Sequence, residues 1–228
     1  MAPESLASDP APESVVSPAA VRAVMGVLAE TYHGRGSAEL GDPYKVLVAT
    51  VVSQRTREEQ TTPVTERVLA RYPDIAALAA ADEKELYATL EGSQYREAKA
   101  PRLIALAHRL IERFDGKIPN KIGELLQLPG VGRKTANCVL IYGFEIPALC
   151  VDTHMHRISN RLGWVRTNTP EQTEKALEKI IPRSYWVGSN RLFLQHGRAI
   201  CLPGVPHCSR CPIRRWCAYG QNPRSAAR

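Results

Sequence analysis

No stretch of the chain approaches the roughly 18 consecutive apolar residues of a membrane span, and the N-terminus lacks a basic segment followed by an apolar run. A membrane anchor and a secretory leader are therefore not expected, and the protein reads as cytoplasmic, nucleoid-associated if its source is bacterial. Residues 1–16 contain no lysine or arginine but three prolines and three acidic residues, a composition too poor in apolar surface to order itself. That stretch is expected to be a disordered tail. Few segments alternate apolar and polar residues with period two, and no repeat of fixed period is evident, which argues against a sheet protein and a solenoid. Nor are cysteines scattered as disulfide staples would be, because four of the six fall between Cys201 and Cys217.

What is present fits an ordinary globular chain. Of 228 residues, 44% are hydrophobic and 23% charged, enough for a sizeable core and near the length at which one core gives way to two lobes. The net charge of +7 and pI near 9.2 favour phosphate-bearing partners, although charge alone is weak testimony. Ser17-Pro18, Asp42-Pro43, Thr62-Pro63 and Thr169-Pro170 read as N-caps followed by proline at the first helical position, the last with Gln172 completing a capping box. Between them the apolar spacing is three and four, as in Val21, Val24, Met25 and Leu28, or Leu103, Leu106, Leu110 and Phe114. The fold class is all-α, with roughly nine or ten helices joined by short loops.

Leu128-Pro129-Gly130-Val131-Gly132-Arg133-Lys134-Thr135-Ala136 joins a helix carrying Ile122, Leu125 and Leu126 to one carrying Val139, Leu140 and Tyr142. Pro129 stops the first helix, and Gly130 and Gly132 are free to take positive φ, so the backbone could approach a ligand closely. The unpaired N–H groups opening the second helix suit a phosphate. A glycine pair alone would equally well make an ordinary helix–turn–helix connection. The whole string, followed by Val151-Asp152-Thr153-His154, resembles the helix-hairpin-helix DNA glycosylases of the endonuclease III family, over about residues 20 to 218.

This resemblance implies a helical fold of two lobes with a cleft between them. The central lobe is expected at 36–150 and a second lobe at 17–35 plus 151–220, with 221–228 a frayed C-terminus. It also implies a monomer that acts on double-stranded DNA containing damaged bases or abasic sites, a bifunctional glycosylase and AP lyase releasing oxidised pyrimidines and nicking the strand by β-elimination. Lys134 then becomes the nucleophile and Asp152 the carboxylate assisting base release. Read by itself, Lys134 is in the first turn of its helix beside Arg133, where the dipole and the neighbouring charge should lower its pKa; a solvated charge or phosphate contact is the plainer role. Asp152 is also a candidate N-cap for a helix carrying Met155, Ile158 and Leu162.

By spacing alone, Cys201, Cys208, Cys211 and Cys217 could hold zinc or an iron–sulfur cluster; the resemblance implies a 4Fe-4S cluster. Cys138 and Cys150 are expected to be small buried hydrophobes. The family's basic loop between the first two cysteines is here Leu202-Pro203-Gly204-Val205-Pro206-His207, so Arg198, Arg210, Arg214 and Arg215 are the candidates to replace it. The resemblance places DNA contacts at Gly130, Val131, Gly132, Arg133 and His154. The gap left by an extruded base falls to Gln54, Arg55 or Tyr95, although Tyr95 could instead be a helix-start aromatic packed on the core. An adenine mismatch glycosylase is the nearest alternative, but such relatives commonly lack the hairpin lysine and carry a further C-terminal domain. A non-catalytic DNA-binding or redox-sensing iron–sulfur protein is the alternative from another class.

Overall fold

The structure, a computed structural model, describes residues 16–32 and 41–222. Nearly all of the expected tail and most of the expected frayed end lie outside these residues. Among the described residues there is no strand, and none of the helices is long and apolar enough to cross a membrane. The helices are α1 (Pro18–Thr31), α2 (Pro43–Ser53), α3 (Glu58–Arg71), α4 (Ile75–Ala79), α5 (Glu83–Thr89) and α6 (Arg96–Phe114), then α7 (Ile122–Leu125), α8 (Arg133–Cys138), α9 (Thr153–Leu162), α10 (Pro170–Leu177), α11 (Trp186–Ala199) and α12 (Ala218–Gln221). This exceeds the expected number because α4, α7 and α12 are pieces of four or five residues. Gln221, expected to be frayed, closes α12.

Side-chain caps explain several of the starts. Asp42 accepts from the amides of Tyr44 and Lys45, Asp74 from Ala77, Asp82 from Lys84 and Glu85, and Thr169 from Gln172. The capping box at α10 is displaced by one residue, since Gln172 Oε1 accepts from the Asn168 amide at 2.9 Å. Two expectations fail. Ser17 makes no side-chain cap bond, and Thr62-Pro63 does not begin a helix: α3 starts at Glu58 and Pro63 lies inside it. The proline removes only the bond to the Glu59 carbonyl, in an exposed first turn that water can solvate.

Two apolar clusters organise these helices. The first joins α2 through α8, with Leu47, Val51, Leu103, Leu106, Leu110, Ala136 and Cys150 among its buried members. The second joins α1, α9, α10 and α11, with Met25, Leu28, Leu149, Val151, Met155, Leu177 and Phe193. The chain passes from one to the other along the non-helical segment from Glu145 to Asp152. Leu149 and Val151 enter the second cluster while Cys150 enters the first. Successive side chains of this segment thus stitch the two cores together, and the next residue is Asp152.

Candidate active site and cysteine centre

The hairpin is tighter than its sequence suggests. α7 is a single turn, and α8 runs into a π-helical turn at Val139–Gly143 that takes up Leu140 and Tyr142. Gly130 has φ 79°, a conformation that demands glycine, and a Cβ there would fall 2.2 Å from Arg102 Cδ, so the arginine side chain would also have to shift. Gly132, by contrast, takes φ −91° as the N-cap of α8 and leaves open space where a Cβ would project. Its expected positive φ is not needed, because Gly130 alone reverses the chain. Val131 is buried, its amide donating to the Leu128 carbonyl at 3.1 Å.

Lys134 lies in the first turn of α8, and Asp152 is the N-cap of α9, its carboxylate accepting from the Met155 amide at 2.8 Å. Both line one open cleft of about 360 Å³ together with Arg133, Val151, Thr153, Pro170, Glu171 and Glu174. Two ties hold the Lys134 helix to the segment leading to Asp152. Asn137 Nδ2 donates to the Leu149 carbonyl at 2.9 Å, and the sulfurs of Cys138 and Cys150 approach to 3.2 Å.

The expected fall in the Lys134 pKa is reversed. Protein packed around the amine does disfavour its charge, but Cys138, Cys150 and Asp152 together outweigh that and raise the pKa, while the side chain keeps an opening to solvent. The two thiols are therefore more than small hydrophobes. A hydrogen bond from Cys150 lowers the pKa of Cys138, and the same bond with burial raises that of Cys150.

Arg133 pairs with Glu174, at 3.2 Å from Nε to Oε2 and 2.5 Å from Nη2 to Oε1, and Glu174 is only 3% exposed. Glu171 and Glu174 were invisible as site residues in the sequence, where they are simply charges on α10. His154 Nδ1 is 3.2 Å from an Arg157 nitrogen, and its ring packs so close to Gly197 that a Cβ there would come within 2.3 Å. Burial first, then the charges of Arg157 and Arg198, lower its pKa, although Asp152 opposes them.

Gln54 points at the hairpin: its Nε2 donates to the Gly130 carbonyl at 3.0 Å and lies 3.4 Å from Thr135 Oγ1. Arg55 and Tyr95 both take φ 56°, and the Arg55 guanidinium lies 5.4 Å from the Tyr95 ring centroid. Tyr95 is 51% exposed, which removes the core role considered for it.

Cys201, Cys208, Cys211 and Cys217 line one small, apolar-walled cavity with Ile158, Leu162 and Ile213. Among the described residues no three His, Cys, Asp or Glu groups meet at a single-ion point. Arg161 Nη1 donates to Cys201 Sγ and the Gly220 amide to Cys217 Sγ, each at 3.3 Å, while His196 Nε2 is 3.7 Å from Cys211 Sγ. Burial, with the other cysteines adding to it, pushes Cys211 up to about 11. Of the flanking arginines, Arg214 donates to the Gly220 carbonyl and Arg215 stacks on Trp216 at 3.8 Å.

Lys134 and Asp152 thus share one cleft beside the hairpin, and the four cysteines share one cavity. Residues 48–183 match the HhH-GPD superfamily of base excision DNA repair proteins. Endonuclease III of Thermotoga maritima is 46% identical over 178 residues, covering 78% of this chain and 84% of that one. Endonuclease III of Synechocystis is 36% identical over 200 residues, covering 87% and 91%. A solved structure of a trapped endonuclease III–DNA covalent intermediate superposes with a TM-score of 0.84 at 30% identity, covering 94% of this chain and all of that one. The chain belongs to the endonuclease III family within that superfamily.

Proposed function

We propose that Lys134 and Asp152 carry out the chemistry of a base excision repair DNA glycosylase and AP lyase, acting as a monomer on oxidised pyrimidines in double-stranded DNA. The observation that carries this reading is their shared open cleft, placed where the two cores meet. The Lys134 amine attacks C1′ of the extruded nucleotide as the glycosidic bond breaks and the base leaves with a proton. The C1′–O4′ bond then breaks, O4′ taking up a proton as the sugar opens to an imine with Lys134; loss of a C2′ proton expels the 3′ phosphate, and water hydrolyses the imine to free the lysine. Because its surroundings hold Lys134 protonated, the ammonium must first shed a proton to solvent through the open cleft. Asp152 stays a carboxylate and stabilises positive charge developing on the sugar.

The hairpin backbone from Gly130 to Gly132 and His154 are the proposed phosphate contacts. Arg133 serves with them only where the Glu174 pair opens. Arg55 and Tyr95 are proposed to occupy the gap, with Gln54 bracing the hairpin. The four cysteines fit a 4Fe-4S cluster: zinc would draw four sulfurs to about 2.3 Å from one point, whereas a cluster spreads them over four irons. Bound there, it supplies cross-links to a segment with little core of its own. The two-lobe division at 36–150 and 17–35 plus 151–220 is supported by cluster membership, apart from Leu149. A cytoplasmic setting, nucleoid-associated if the source is bacterial, accords with a DNA substrate.

Borohydride reduction on abasic DNA tests the central claim. Lys134→Gln should lower the trapped adduct by about 10³-fold or more while binding of the same DNA changes little. Undiminished trapping would transfer the nucleophile to another amine and leave the hairpin as a binding element.

A further inference from the structure

Lys99 has no part in that chemistry, yet it is 2% exposed, an unusual place for an ammonium group. All three of its protons have acceptors: the Val52 carbonyl at 2.6 Å, Ser93 Oγ at 2.7 Å and Thr56 Oγ1 at 2.9 Å. The acceptors come from the end of α2, the loop after it and the turn before α6. The two hydroxyls also lie 3.2 Å apart, and Thr56 Oγ1 accepts from the Gln94 amide at 3.2 Å.

Arg55 sits beside one of these acceptors and Tyr95 two residues beyond another. Both hold left-handed backbone, which non-glycine residues keep only where the surroundings fix it. Their side chains stack at an exposed site. A methionine would fill the Lys99 position without needing three acceptors and without placing a cation in the N-terminal half of α6. The return for burying the charge must therefore lie in geometry.

We infer that Lys99 is a positioning residue, clamping the Gln54–Arg57 loop to the Ser93–Tyr95 turn so that Arg55 and Tyr95 are presented together to the gap left by the extruded base. This rests on the reading that these two side chains fill that gap.

The measurement is the ratio of two single-turnover rates in full-length, cluster-loaded protein: excision of an oxidised pyrimidine from duplex DNA, and strand cleavage at a preformed abasic site. Lys99→Met should lower excision by about 5- to 100-fold, the range of one lost base–aromatic stack, and change abasic-site cleavage by less than about twofold. The fluorescence rise of 2-aminopurine beside the lesion should shrink in parallel. In an Arg55→Ala/Tyr95→Ala background, Lys99→Met should lower the ratio no further. Ser93→Ala and Thr56→Val, which leave the lysine in place, should lower it partially and carry the test if Lys99→Met does not fold. If the Arg55/Tyr95 double variant keeps the wild-type ratio, the gap-filling reading fails and the proposal fails with it. If that variant lowers the ratio but Lys99→Met, or the two partner variants in its place, does not, Lys99 is not a positioning residue. Equal loss in both rates, tracking a fall in melting temperature, also overturns the proposal and leaves only a structural role.

Discussion

The cleft of Lys134 and Asp152 and the cysteine segment after Ile200 are held by different forces. The cleft walls stand on two apolar cores and are fastened by the Asn137–Leu149 bond, the Cys138–Cys150 contact and the Arg133–Glu174 pair. From Cys201 to Asn222 the chain has only short 3₁₀ turns and one helical turn, and besides its cysteines it buries little more than Ile213 and Pro206. On the proposed reading reactivity and order should separate here: substitutions in the cleft should change chemistry without unfolding the chain, and substitutions in the cysteine segment should do the reverse.

The sharpest break would come at Asp152. Asp152→Asn should slow base release by about 10²- to 10³-fold, because an amide cannot stabilise developing positive charge as a carboxylate does. The melting temperature should hardly move, since Asn also caps helices well. Wild-type single-turnover release in a folded variant would leave Asp152 with the cap role alone.

Next in size is the pH response of Lys134. A raised pKa means that the free amine is scarce at neutral pH. Adduct formation on abasic DNA should therefore climb about tenfold per pH unit through the neutral range and level off only in the alkaline range. A plateau already present below pH 7 would show that the amine is free and that the thiols do not hold its proton. For stability the sign follows the same shift. The native state binds the proton more tightly than the unfolded chain, so this contribution is present at neutral pH and is lost as pH rises through the folded pKa.

The smallest effect on chemistry, and a clear one on order, belongs to the cysteines. Cys208→Ser should cost the yellow-brown colour and lower the melting temperature by roughly 5–10 °C, with borohydride trapping kept below the transition. Colourless, active wild-type protein with one zinc per chain would exchange the cluster for a single ion. Trapping abolished in a folded Cys208→Ser protein would show that the two regions are not separable.

Local signals made much of this legible. Asp42, Asp152 and Thr169 act as caps where their positions before a helix imply it, and the three-and-four spacing of Val21, Val24, Met25 and Leu28 is the buried face of α1. Lys134 and Asp152 stood out because each belongs to a continuous motif. Glu174, Lys99 and the Cys138–Cys150 contact did not, because Glu174 lies 41 residues from Arg133, Lys99 takes two of its three acceptors from 43 and 47 residues away, and the two cysteines are 12 apart, so neither member of a pair announces the other. The Lys134 pKa was misjudged for the same reason. Arg133 and the helix dipole are read from adjacent residues, whereas Cys150 reaches the amine only through the fold.

Helix α6 starts beside Tyr95, carries Lys99 in its second turn, and lays Arg102 against Gly130 at the hairpin. A helix rises about 1.5 Å per residue, so the seven residues from Tyr95 to Arg102 set a spacing of about 10 Å along one rod. On the proposed reading a single rod therefore joins the side chains that fill the gap to the hairpin that holds the phosphates, and one residue added between these points would turn Arg102 by about 100° off the hairpin.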